Sequence, residues 1–257
     1  MFLRPSFFFL VSIGIGAVLL TGCAAVRGQE SLRQAVASAY GVEAFDRVEQ
    51  IRFTFNVQSG EKTIRRSWRW EPQEDRVTFI PEDGSPERTY ERERMDASGD
   101  PDLLDIDARF VNDQYWLLFP FHLVWDREAT VEDRGTADLP IGEGTARRLV
   151  VRYPAEGGDT AGDIYEVFIG PDLLLQQWIY RKAGAEEPTR MSTWEDHRRI
   201  GPLVLSLDHK GEIETFRVWF TNVSLRLAIS DQWIGLRGRG EAKPSAPLPA
   251  KTKGGGV

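Results

Sequence analysis

Ile51-Arg52-Phe53-Thr54-Phe55-Asn56-Val57 is the stretch on which the fold turns. Its apolar residues fall at every second position, the period of a strand with one buried face. Just before it, Ser31 to Tyr40 carries Leu32, Ala35, Val36, Ala39 and Tyr40 on one helical face, and Gly41 ends the run. Val42 to Val48 can add a second helical turn. The period therefore changes from 3.6 to 2 near residue 50.

The strand pattern then persists. Ser59-Gly60-Glu61 reads as a turn, and Thr63 to Trp70 returns with Ile64, Trp68 and Trp70 on one face. Arg66 interrupts that face. Asp75 to Ile80 and Glu87 to Glu93 read as two more strands across a Pro81/Gly84/Pro86 turn, a meander and not a βαβ pattern. Six further strands are expected at Arg147–Tyr153, Ile164–Ile169, Leu173–Arg181, Arg190–His197, Leu203–Asp208 and Phe216–Leu225, each bounded by turn residues. The expectation is a mainly β (α+β) chain, one curled antiparallel sheet forming an incomplete β-barrel covered by helices.

Two stretches interrupt the strands. Asp100-Pro101 offers an acceptor cap and a first-turn proline, so Asp102 to Asn112 reads as a helix. Directly after it, Tyr115-Trp116-Leu117-Leu118-Phe119-Pro120-Phe121-His122-Leu123-Val124-Trp125 is the most apolar run after residue 23. It suits either a core helix or strand, or a flap lining an apolar cavity. Arg127 to Gly144 reads as a charged, glycine-containing connection.

At the N-terminus, Arg4 precedes an apolar run closed by Leu20-Thr21-Gly22-Cys23. A cation, then apolar residues, then small residues is the order of an export signal. The last four resemble a bacterial lipobox, in which cleavage leaves Cys23 as the first residue, carrying acyl chains such as palmitate. Cys23 is the single cysteine, so a monomer can form no disulfide and the thiol is free for lipidation. The expected organisation is a signal peptide over residues 1–22, a tether over 23–30, one domain over 31–234 and a disordered Gly/Pro/Lys-rich tail over 235–257. Ala24 stands where inner-membrane retention usually shows Asp, which favours the outer membrane, facing the periplasm. The net charge is −7, and one unit more negative without Arg4. An acidic balance argues against nucleic acid as a partner. The expected partner is the membrane, through the N-terminal anchor; no particular protein partner is indicated.

Catalytic patterns are sparse. His122, His197 and His209 lack metal-ligand spacing, and neither a Gly-x-Ser-x-Gly elbow nor a phosphate loop occurs. Asp196-His197 would face opposite sides of a strand. No cofactor, metal or catalytic residue is therefore assigned. What the chain does hold is aromatics set in alternating strands: Phe53, Phe55, Trp68, Trp70, Trp178, Tyr180, Trp194 and Trp219, with Trp116 and Phe119 in the apolar run. These ten are the candidate cavity residues. The same residue types build a filled core, so both readings stand at this point.

The layout resembles the LolA/LolB-like superfamily of periplasmic lipoprotein carriers. The likeness lies in the helix before a strand meander and the aromatic insertion mid-chain. It continues in the paired strands Tyr165–Asp172 and Leu175–Tyr180, and in the strand, glycine, return-strand unit Ser192–Leu203. It spans most of residues 31–227 through architecture and not through an invariant motif. The resemblance implies an incomplete barrel whose apolar interior holds acyl chains, and it brings no catalytic residues. The family's outer-membrane acceptor has an exposed apolar loop between early strands; here Ser59-Gly60-Glu61 and Pro81 to Pro86 are polar. The function expected is a lipid-anchored envelope protein holding an acyl chain or other apolar ligand, without enzymatic activity. The alternative is a structural lipoprotein with a filled core.

Overall fold

The structure, a computed structural model, describes residues 32–95, 99–158 and 160–236. The leader, Cys23, the tether and almost all of the tail lie outside the described residues. Helix α1 runs over residues 32–40 and buries Leu32, Val36 and Tyr40. Gly41, at φ 90°, turns the chain into a 3-10 segment, Val42–Arg47. A Cβ at Gly41 would sit 2.4 Å from the Pro202 carbonyl oxygen, so both the backbone angle and the close approach call for glycine.

Among the described residues thirteen strands follow, all paired antiparallel: β1 (Val48–Ser59), β2 (Lys62–Glu71), β3 (Arg76–Ile80), β4 (Arg88–Glu91), β5 (Thr130–Asp138), β6 (Thr145–Arg152), β7 (Ile164–Ile169), β8 (Leu175–Arg181), β9 (Arg190–Thr193), β10 (Glu195–Ile200), β11 (Leu203–Lys210), β12 (Phe216–Leu227) and β13 (Ser230–Gly235). They form two sheets where one curled sheet was expected. The larger is ordered β10-β11-β12-β1-β2-β3-β4, with β13 added on β12; the smaller is β5-β6-β7-β8-β9. The sheets meet at a corner. The run expected as one strand, Arg190–His197, breaks at Trp194: β9 ends in the small sheet and β10 begins in the large one. Asp196 has a left-handed φ of 49°, and a single bridge, Ser192 to Gly211, ties the corner together.

β4 and β5 are the far edges of the two sheets, and they do not pair. Helix α2 (Pro101–Trp125) joins them, running between the sheets. Its 25 residues make a rod of about 37 Å. The two stretches read separately from sequence are thus one helix, capped where Asp100 accepts from the Asp102 amide at 3.0 Å. Pro120 lies inside it. From Phe110 to Leu123 all but Asn112 are buried, because both sheets enclose this half of the helix. The architecture is an open, two-sheet half-barrel with a helix across its interior, in keeping with the fold class expected.

The connection expected over Arg127–Gly144 instead contains β5. An edge strand has one covered side at most, and the register of β5 slips between Asp133 and Thr136 around Gly135 (φ 72°). No alternation survived there to be read.

Candidate functional site

A cavity of about 370 Å³ opens where β1 and β12 of the large sheet face β7, β8 and β9 of the small one, beside α2. Its buried floor is aromatic: Phe55, Tyr115, Trp116, Tyr165, Trp178 and Phe216. Its mouth is formed by Ala108 and Asn112 of α2, Arg66 of β2, and Thr189 and Arg190; Ala108, Asn112 and Thr189 are exposed and the two arginines are half-buried. A larger hollow of about 720 Å³ lies between the β3–β4 turn and the start of α2. Ion pairs line that one, Arg65 with Glu82 and Arg109 with Asp105, so it is a charged surface trough and not an apolar site.

Four of the ten candidate residues line the cavity: Phe55, Trp116, Trp178 and Tyr180. The Trp116 and Trp178 rings meet edge to face at 4.7 Å. Five others are placed in the interior away from the opening. Phe53 and Trp68 pack on Phe110 at 6.5 and 5.4 Å, and Trp70 lies 5.6 Å from the same ring. Phe119 is fully buried behind Tyr165 and Trp178, and Trp194 fills the corner between the sheets. Trp219 is a correction. It points to the opposite face of β12, beneath the Arg217 guanidinium at 5.1 Å and in register with Asn56 and Asp208. Its neighbour Phe220 faces inward, and adjacent strand residues alternate.

The ten candidates left out Tyr165, Phe216, Arg66 and Arg190, and also Tyr115, which lay in the apolar run for which a cavity-lining flap was one reading. Tyr165 alternates with Val167 and Ile169, so its inward face was available in the pattern. Arg66 carried a signal too, as the cation breaking an apolar face. Its guanidinium turns inward and binds Asp113 of α2 in a two-point pair, Nε to Oδ2 at 2.7 Å and Nη2 to Oδ1 at 2.5 Å. Nothing in the sequence around Arg190 marks it.

Three polar clusters fix α2 between the sheets. Asp113 accepts also from Trp68 Nε1 at 2.9 Å, and Asp107 takes the Arg92 guanidinium and the Tyr90 hydroxyl. At the far end, the Tyr115 and Tyr153 hydroxyls both donate to Asp126 Oδ2, at 2.8 and 2.7 Å. Burial raises both phenols well above their ordinary range, so they stay protonated and can donate. Burial also opposes ionisation of Asp126, but hydrogen bonds from His122, Tyr153 and Tyr115 outweigh it and hold the carboxyl below its usual value.

His209 lies under the floor, 5.5 Å from the Trp116 ring and 4.5 Å from Trp194. Nδ1 donates to the Thr193 carbonyl at 3.2 Å, and Nε2 has no partner among the described residues. Burial lowers its pKa from 6.5 to about 3. The unfolded chain therefore binds a proton below pH 6.5 that the folded chain refuses. The resulting stability is intact above pH 6.5 and is lost as the pH falls toward 3, at about 1.4 kcal/mol per pH unit. His209→Gln is expected to flatten the urea-unfolding free energy between pH 6.5 and 4.5 by about 2–3 kcal/mol relative to wild type. His197, also lowered by burial, keeps its own share of the slope in both proteins. Parallel slopes would mean that His209 is reached by water.

Among the described residues no group of three or more His, Cys, Asp or Glu is placed to hold a metal ion, and no helix is long and apolar enough to cross a membrane.

No family model matches the sequence, and no curated protein does. Solved structures similar to the chain include a DUF1329 family protein from Desulfovibrio piger, at TM-score 0.45 and 11% identity over 80% of this chain and 95% of that one. A LolA superfamily protein from Nitrosomonas europaea has TM-score 0.45 and 6% identity over 75% of this chain and 93% of that one. A domain assigned to outer membrane lipoprotein sorting, from Vibrio parahaemolyticus, has TM-score 0.41 and 8% identity over 74% and 94%.

Proposed function

We propose that the chain is a lipid-anchored protein of the bacterial envelope that holds an acyl chain or other apolar ligand in the cavity beside α2, without catalysing a reaction. The observation that carries this reading is the cavity itself: an aromatic floor behind an open polar mouth. Ligand pockets run from roughly 300 to 1,000 Å³, so about 370 Å³ suits one chain or part of one and not a whole bilayer lipid. Each methylene buried there contributes about 0.8 kcal/mol, so a chain of seven or eight carbons gains about 6 kcal/mol, before the cost of association, without directional contacts. The mouth is already open, so binding does not require α2 to leave the sheets. The anchor would be Cys23, and Ala24 favours placement in the outer membrane, facing the periplasm.

The test uses the full chain held in phosphatidylcholine nanodiscs and titrated with 8-bromooctanoate, whose bromine quenches nearby tryptophan. Saturable quenching beyond the empty-disc blank, reduced by Trp178→Phe, is the expected result. Quenching that only tracks partition into the disc would favour the filled-core lipoprotein instead. The anchor is checked separately by radiolabelled palmitate, which should label the wild-type chain and not Cys23→Ala.

A further inference from the structure

We infer that the cavity selects a single-chain anionic amphiphile, its acidic group bound by Arg190 at the rim and its chain laid over Phe216 and Trp178. This rests on the apolar-ligand reading above and names the ligand's chemistry. Arg190 stands on the edge strand β9, and its guanidinium lies 4.0 Å from the centroid of the Phe216 ring. Stacking on that ring holds the fork in place and leaves its N–H edge free for an oxyanion. Among the described residues it makes no ion pair and no side-chain hydrogen bond.

The other charged groups at the cavity already have hydrogen-bond partners, although Asp163 has no cation paired with it among the described residues. Arg66 is bound by Asp113. Asp163 accepts from the Tyr180 hydroxyl at 3.0 Å and from the Ala183 amide at 2.8 Å, one donor to each oxygen. Among the described residues, Arg190 is the one charged group at the mouth with unmet donors. In the β8–β9 ladder Arg190 faces Tyr180, and the next pair on that face is Trp178 with Ser192. The Trp178 indole N–H and the Ser192 hydroxyl are buried without partners among the described residues. Buried donors in that state are normally satisfied by water or a ligand. Of these two, Trp178 lines the cavity and Ser192 is outside the lining, so what faces a ligand is a rim cation beside an aromatic floor, which fits an anionic head on an apolar tail.

The same full-length protein in nanodiscs, with 8-bromooctanoate displaced by octanoate, octyl phosphate or octanol, provides the test. The expected result is that at least one anion competes about tenfold or more better than octanol. Arg190→Gln should bring that ratio near one, and Arg190→Lys should restore part of it. A preference for octyl phosphate over octanoate would assign the head to a phospholipid source, and the reverse to free fatty acid. If octanol competes as well as both anions in wild type, or if Arg190→Gln leaves the ratio unchanged, the inference fails while the apolar site stands. If none of the three competes and 8-bromooctanoate itself does not saturate, the apolar-ligand reading fails and takes this inference with it.

Discussion

Asp113→Ala is expected to lower folding stability by about 3–5 kcal/mol, the cost of breaking a buried ion pair by removing one partner. Asp113 is 0% exposed as a side chain and Arg66 only 15%, so neither group can turn to water without moving its element. Four donors converge on the carboxylate: Nε and Nη2 of Arg66, the Trp68 indole at 2.9 Å and Asn112 Nδ2 at 3.0 Å. Alanine leaves the guanidinium charged and unpaired in the wall of the half-barrel, with the Trp68 N–H orphaned beside it. The pair need not be a net source of stability, because desolvating two charges costs about as much as their attraction returns. That yields a second expectation: the double variant Arg66→Met/Asp113→Leu recovers most of the loss. Urea unfolding of the two singles and the double gives the coupling energy directly. A single-variant cost below about 1 kcal/mol would mean the pair behaves as an exposed one. Because Arg66 also lines the cavity mouth, ligand titration of the same variants tests whether its pairing holds that opening in shape.

Arg66 also shows what the sequence displays and what it hides. Between Ile64 and Trp68, a cation on the apolar face looks like a fault in the alternation; in the fold it marks where α2 brings a carboxylate to β2. The central strands were legible because large apolar side chains recur at every second position along them, so β1, β2, β7, β11 and β12 keep the period of 2 close to their observed bounds. Three features were not. The second half of α2 is enclosed on all sides, which erases the helical period that a half-exposed helix would keep. Arg190 to His197 reads as one extended run, so the change of sheet at Trp194 leaves no trace in polarity; only the left-handed Asp196 registers it. Trp219 and Phe220 are equally apolar neighbours, and one of the two had to face outward. The cavity was legible only as an inventory of aromatics. Which of them lie behind an opening depends on how α2 crosses two sheets, a long-range fact that local pattern does not encode.

Phe119→Ala is expected to cost about 3–5 kcal/mol and, unlike an ordinary core truncation, to enlarge the ligand site. Phe119 is 0% exposed, its ring 4.9 Å from Tyr165, 5.3 Å from Trp178 and 6.4 Å from Trp194. Removing the ring forfeits its burial and leaves a void, since the rigid aromatics around it collapse only in part. The first two of those neighbours also form the cavity floor, so the void lies directly behind the wall. If the cavity holds an acyl chain with its head at the rim, the methyl end runs toward this wall. The variant should then gain affinity for dodecanoate relative to octanoate, at about 0.8 kcal/mol per additional methylene buried, even as its urea midpoint falls. Trp68→Ala is the control: its ring packs on Phe79 and Phe110, outside the lining, and should bring a similar loss of stability with no change in chain-length preference. Equal chain-length profiles for Phe119→Ala and Trp68→Ala would separate the two halves of the argument. The interior would then be a filled core whose aromatics stabilise the half-barrel, with any ligand held at the mouth alone.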